Sequence, residues 1–159
     1  MLTQADQQAL NAKDIMTRNP LCVRETDLAK DIHPLFEKYS ISSIPVLNEQ
    51  GSLTGVVTNA DIARAKQILD MRDFMDLVFQ GTNVDVEHLQ EFFHLDMFEE
   101  IVTKDIMSER PMTAQEESPV RELALEMYDK REHRVIVQNA QGQVVGIISP
   151  LDIIKACYT

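Results

Sequence analysis

Two seven-residue stretches carry side chains able to do chemistry. Gly55 to Asp61 reads GVVTNAD, and Gly146 to Asp152 reads GIISPLD. Each is an apolar run, then a hydroxyl (Thr58, Ser149), then a carboxylate three residues on (Asp61, Asp152). A short buried strand leading into a helix sets the hydroxyl at the strand's end and the acid in the helix's first turn. An acid there can accept hydrogen bonds from two vicinal hydroxyls, and charge-assisted bonds of that kind contribute roughly 1.5–3 kcal/mol each. The hydroxyl and the helix N-terminus can face an anion, because free amides and the helix dipole favour negative charge. The same residues equally suit helix capping, with a hydroxyl at the N-cap and an acid complementing the dipole. At this level both readings stand.

The stretches recur because the chain repeats. Shifted by 91 residues, 12–65 lies over 103–156 without a gap. AKDIMTRNP matches TKDIMSERP, and Met16/Met107, Pro20/Pro111, Gly51/Gly142, Gly55/Gly146 and Asp61/Asp152 are identical pairs. Glycines and a proline kept in register identify a duplication. In each copy a brief strand is expected first (LCV, 21–23). A helix follows, with Asp27 at the N-cap position and Ser118-Pro119 playing that part in the second copy. Leu28, Ile32, Leu35 and Phe36 recur at helical spacing, as do Val120, Leu123, Leu125 and Met127 in part. Pro34 inside the first pattern predicts a distortion. Two β-rich runs around a turn of Asn, Gln and Gly then signal a hairpin, and a last helix starts at Asn59 or Pro150. The unit reads β-α-β-β-α. The fold class is therefore α/β: two tandem β-α-β-β-α units, plus a helical insert between them. The segments are a lead-in over 1–11, the first repeat over 12–65, an acidic helical insert over 66–102 and the second repeat over 103–159. Units this short sit near the lower limit for a stable core, so the copies are expected to bury their sheet faces together.

The 159 residues carry a net charge of −11, which as a whole repels nucleic acid and anionic membranes. The acid gathers in the insert, where nine acids face Lys66 and Arg72. The insert also has an apolar helical face, suited to covering the module or its self-association surface, or to docking a basic partner. His88, Glu91 and His94 walk partly off one helix face, so no metal is expected. Two cysteines, Cys22 and Cys157, make no disulfide framework. No membrane-length apolar run and no secretory pattern is visible, so a cytoplasmic location is expected. No nucleophile–base pair, P-loop or dinucleotide fingerprint is present, so the chain is not expected to be an enzyme.

DIMTRNP and DIMSERP, with SSIPVLNEQGSLTGVVTNAD and EHRVIVQNAQGQVVGIISPLD, resemble the tandem CBS-domain (Bateman) module over about two thirds of the chain. The resemblance implies a pair of CBS repeats with pseudo-two-fold symmetry, packed through their sheets, and two clefts between them that often take adenine nucleotides or related adenosyl ligands. It implies regulation rather than catalysis, and homodimerisation. It assigns the aspartates to a ribose diol, and Thr58 and Ser149 to phosphate or ribose.

His133-Arg134 is the sharpest departure from symmetry, because Ser42 and Ser43 hold the matching positions. The resemblance assigns such a pair to phosphate. Arg can grip a phosphate with two parallel bonds, and His adds a donor that titrates near neutrality. The alternative is a solvated helix end whose cations complement the dipole. On the phosphate reading, the cleft ending in Asp152 binds better, and family geometry points to Asp27, Ile32 and Leu53 for its other wall. Pro150 removes one amide donor beside Ser149. The expected function is a regulatory module sensing AMP, ADP, ATP or S-adenosylmethionine, with no obligatory cofactor and with a regulated protein partner. The alternative is a protein-interaction module with empty clefts, acting through its acidic insert.

Overall fold

In the computed structural model, residues 10–68 and 100–158 are described. The rest of the insert, with its helical reading and His88, Glu91 and His94, lies outside them. The first half runs through helix α1 (Ala12–Ile15), strands β1 (Thr17–Arg18) and β2 (Val23–Arg24), helix α2 (Ala29–Lys38), strands β3 (Ser43–Leu47) and β4 (Leu53–Thr58), and helix α3 (59–68). The second repeats the order as α4 (Thr103–Ile106), β5 (Ser108–Glu109), β6 (Thr113–Gln115), α5 (Val120–Lys130), β7 (Val135–Gln138), β8 (Val144–Ile148) and α6 (Pro150–Tyr158).

The duplication is visible in the backbone. Asn48 Oδ1 accepts the amides of Gln50 and Ser52, and Asn139 Oδ1 accepts those of Gln141 and Gln143. Each hairpin turn passes through a glycine in the left-handed region, Gly51 at φ +79° and Gly142 at φ +78°, where a side chain would be strained.

The two sheets are not built as contiguous repeats. One orders β2-β3-β4-β5 and the other β1-β8-β7-β6. Each copy thus lends its first short strand to the other's sheet: β1 pairs antiparallel with β8, and β5 with β4. The lead-in turns cross too. Ala12 and Lys13 donate to the carbonyls of Ser118 and Glu116, while Thr103 and Lys104 donate to those of Asp27 and Glu25. Thr103, fully buried, adds a 2.8 Å bond from Oγ1 to the Asp27 carbonyl. Lys13 also meets Glu117 of the second copy at 2.7 Å, a bond that raises the ammonium's pKa.

This exchange corrects two sequence expectations. Asp27 is not the N-cap of α2. Leu28 holds that position without a side-chain bond, and the first helical amide, Ala29, donates to the Ile101 carbonyl of the other copy's lead-in. Asp27 Oδ2 instead accepts the Arg24 amide at 2.8 Å. Pro119 is likewise the N-cap, not the first helical residue, of α5, whose Val120 amide donates to Leu10. The helix α2 also continues through Pro34 to Lys38.

Each half has its own core, and each core includes the other copy's lead-in. Val23, Ile32, Phe36, Ile44, Val46, Val57 and Ile62 pack with Ile106 and Met107. Met112, Ala114, Leu123, Met127, Val135, Val137 and Ile148 pack with Ala12 and Met16. Leu125, grouped above with the apolar face of α5, is exposed. The glycine pairs now have a reason: a Cβ on Gly146 would overlap the Met16 side chain, and one on Gly55 would meet Met107 Sδ at 2.5 Å. Cys22 is half-buried, and burial pushes its thiol pKa up. Among the described residues no helix is long and apolar enough to cross a membrane.

Candidate functional site

Thr58 ends β4 and opens α3. Its amide and its Oγ1 both donate to Asp61 Oδ2, at 2.9 and 2.7 Å, and the Asp61 amide returns to Thr58 Oγ1 at 3.3 Å. This is a reciprocal cap of the helix start. Asp61 is 6% exposed, and its Oδ1 lies 3.4 Å from Arg64 Nη1. Ser149 repeats the pattern, donating to Asp152 Oδ2 from its amide and its Oγ at 2.7 Å each. Asp152 is half-buried. The capping chemistry is therefore present in both copies, and one oxygen of each carboxylate is committed to it.

The basic pair lies at the meeting of the two copies. His133 and Arg134 precede β7, and Val135 pairs with Ile148, next to Ser149. Arg134 also crosses to the first copy, donating from Nε to Ser43 Oγ at 2.7 Å and from Nη2 to Ser42 Oγ. Its Nη1 donates to the His133 carbonyl.

A cavity of about 470 Å³ opens at this junction. Its first-copy wall is Thr58, Asn59 and Ala60, the cap and first turn of α3, with Ser42 and Val56. Its second-copy wall is the 108–112 loop, including Arg110, together with Glu132, His133 and Arg134. The amides of a first helical turn have no acceptor within the helix. Two arginines and a histidine thus share the cavity with Glu109 and Glu132. That arrangement can hold a small anion by charge and by N–H donors.

Of the nine residues singled out in the sequence, Thr58, His133 and Arg134 line this cavity, and Asp61 is bound to Thr58 behind it. The other five do not line it. Ser149 and Asp152 cap α6. Ile32 is core, 2% exposed, because α2 turns it onto the first sheet. Asp27 holds the Arg24 turn and the incoming α4. Leu53 starts β4 opposite Leu47. The basic pair therefore shares its cavity with the Thr58 helix start, not with the wall drawn from Asp27, Ile32 and Leu53. The reason is the direction of Arg134, which leaves its own hairpin for the first copy's serines. Ser42, Ser43, Asn59, Ala60 and Arg110 were not assigned to the site from sequence. The one available signal was that Ser42 and Ser43 hold the positions matched to the basic pair.

A second cavity, about 730 Å³, lies between α5 and α6. Met127, Tyr128, Ile153 and Ile154 line it, and His133 and Pro150 border it. Among the described residues no cluster of His, Cys, Asp and Glu is arranged to hold a metal.

Comparison with known proteins bears on the same two copies. The family model for the CBS domain matches residues 12–67 and 102–159. An uncharacterised protein of Methanocaldococcus jannaschii is 29% identical over 153 residues, covering 91% of this chain and 89% of its own length. One from Methanopyrus kandleri is 25% identical over 143 residues, covering 90% of this chain but 58% of its own length. Among solved structures, the CBS domain pair of protein MJ0100 in complex with 5′-methylthioadenosine and S-adenosyl-L-methionine superposes with a TM-score of 0.68. It has 23% identity and covers 94% of this chain and 97% of its own. The protein CBSX2 in complex with AMP gives 0.67 at 19% identity, covering 93% and 96%. At these identities the likeness establishes the fold.

Proposed function

The chain belongs to the CBS-domain family, and on that premise we propose that it is a regulatory module binding an adenine nucleotide or related adenosyl compound at the junction of its two copies. The candidates are AMP, ADP, ATP and S-adenosylmethionine. The observation that carries this reading is the convergence of Arg134, His133, Arg110 and the first turn of α3 on one cavity, in a chain of net charge −11. The complexes of the two similar domain pairs with AMP and with S-adenosylmethionine support the choice of ligand class.

In this reading a phosphate lies against Arg134, His133 and the amides of Asn59 and Ala60. The ribose lies beside Thr58 at the start of α3, whose hydroxyl Asp61 Oδ2 holds in place. No bond is made or broken. Signalling follows from differential affinity for two packings of the copies, read by a protein partner in the cytoplasm. Thermal unfolding with each nucleotide tests the reading. A ligand at one hundred times its Kd adds about 2.7 kcal/mol of stability, a rise of several degrees for a domain this size. A melting temperature unmoved by every adenosyl compound contradicts it.

Self-association has its own observation. On α5 and α6, Tyr128 is 81%, Leu151 74% and Tyr158 74% exposed. Their first-copy counterparts are Glu37, Ala60 and Gln67. These exposed side chains on α5 and α6 suit a homodimer formed through the second copy. Sedimentation of the full chain tests this: a dimer that Tyr128→Glu converts to monomer supports it, and a wild-type monomer contradicts it.

A further inference from the structure

Arg134 makes an unusual contact: Ser43, which accepts its Nε–H, is the residue 91 positions earlier, its own counterpart in the duplicated sequence. Ser42, which accepts from Nη2, is the counterpart of His133. A residue that touches its own repeat equivalent lies on the pseudo-two-fold axis. Only one bulky cation can occupy that place, since an arginine in both copies would set two guanidinium groups against each other. The Ser42-Ser43 pair is the complement that makes room for it.

The donor count shows what the serines leave available. A guanidinium has five N–H groups. The side edge, Nε and Nη2, is taken by Ser43 and Ser42, and one Nη1 hydrogen goes to the His133 carbonyl. One N–H remains on each terminal nitrogen. The pair forms the end of the fork, the geometry that meets two oxygens of a phosphate. Arg134 and Ser42 both line the junction cavity. The matching place in the other copy has serines where the arginine would be, and Pro150 in place of Asn59 removes an amide.

We propose that Ser42 and Ser43 are positioning residues that hold Arg134 across the pseudo-two-fold for phosphate, so that the chain has one phosphate subsite rather than two. This rests on the adenosyl-ligand reading above and deepens it. Both serines hold the arginine, and Ser43 stands outside the cavity lining. Their effect therefore appears as a difference between a phosphorylated and an unphosphorylated ligand.

The test is isothermal titration of the full chain with AMP and, separately, with adenosine. Wild type is expected to bind one AMP per chain, and more tightly than adenosine. In the double variant Ser42→Ala, Ser43→Ala, AMP affinity is expected to fall about tenfold, the scale of bonds to a charged group. Adenosine affinity is expected to fall by less than that of AMP, and an unchanged circular dichroism spectrum reports an intact fold. Ser43→Thr, which keeps the hydroxyl, is expected to behave as wild type, and Arg134→Ala to bind AMP no better than adenosine. Two AMP per chain, or AMP affinity unaltered or raised in the double alanine variant, overturns the proposal while leaving the adenosyl reading in place. Failure of wild type to bind either compound overturns the proposal, and failure to bind ADP, ATP and S-adenosylmethionine as well overturns both.

Discussion

At the residue scale, the two aspartates do structural work before any ligand arrives. Asp61 Oδ2 accepts two bonds from Thr58, and Asp152 Oδ2 two from Ser149. Removing such a cap costs about 1–2 kcal/mol. Asp61→Ala and Asp152→Ala are therefore both expected to lower stability by that amount in urea unfolding without nucleotide. Asp61, 6% exposed, should lose more than half-buried Asp152. Equal stability of either variant and wild type contradicts the capping geometry. The sequence leaves capping and binding standing together because both need a hydroxyl and an acid at the same spacing. The geometry shows the capping half: one oxygen of each carboxylate serves the cap. His133 and Arg134 were legible as a basic pair interrupting a repeat. Their partners were not, because nothing in a linear pattern says that Arg134 turns toward Ser43.

At the element scale, the unit of construction is a borrowed turn and strand. The sequence makes each DIM motif contiguous with the repeat that follows it, and periodicity carries no information on which sheet a two-residue strand joins. The clue lay in identical residues with no evident partner, Met16/Met107 and Gly55/Gly146. In three dimensions Met16 lies over Gly146 and Met107 over Gly55, across the copies. Overpacking of a close contact costs typically 1–3 kcal/mol. Gly146→Ala is expected to destabilise by about that much, and Met16→Ala in the same chain to recover part of the loss by making room. Additive losses in that double-mutant cycle contradict the contact. The helices were more readable: α3 and α6 start where expected, at residues 59 and 150. The start of α2 was misplaced onto Asp27 because its first amide is satisfied from the other copy, by Ile101.

At the scale of the whole molecule, exchange makes the halves interdependent. Each core needs two or three residues from the other copy's lead-in, and each second helix takes a backbone acceptor from it. A chain cut within the insert, giving separate halves, is expected to yield two poorly folded fragments that regain helical circular dichroism on mixing. Halves that fold independently, with no gain on mixing, contradict the exchange. The same interdependence sets Arg134 against its own repeat counterpart, Ser43, and the proposed ligand would there act on the packing of the copies. The most direct test of that central claim is a crystal structure of the full chain grown with AMP. The account predicts nucleotide density in the junction cavity, its phosphate between Arg134 and the first turn of α3. Density elsewhere, or an empty cavity under saturating AMP, contradicts it.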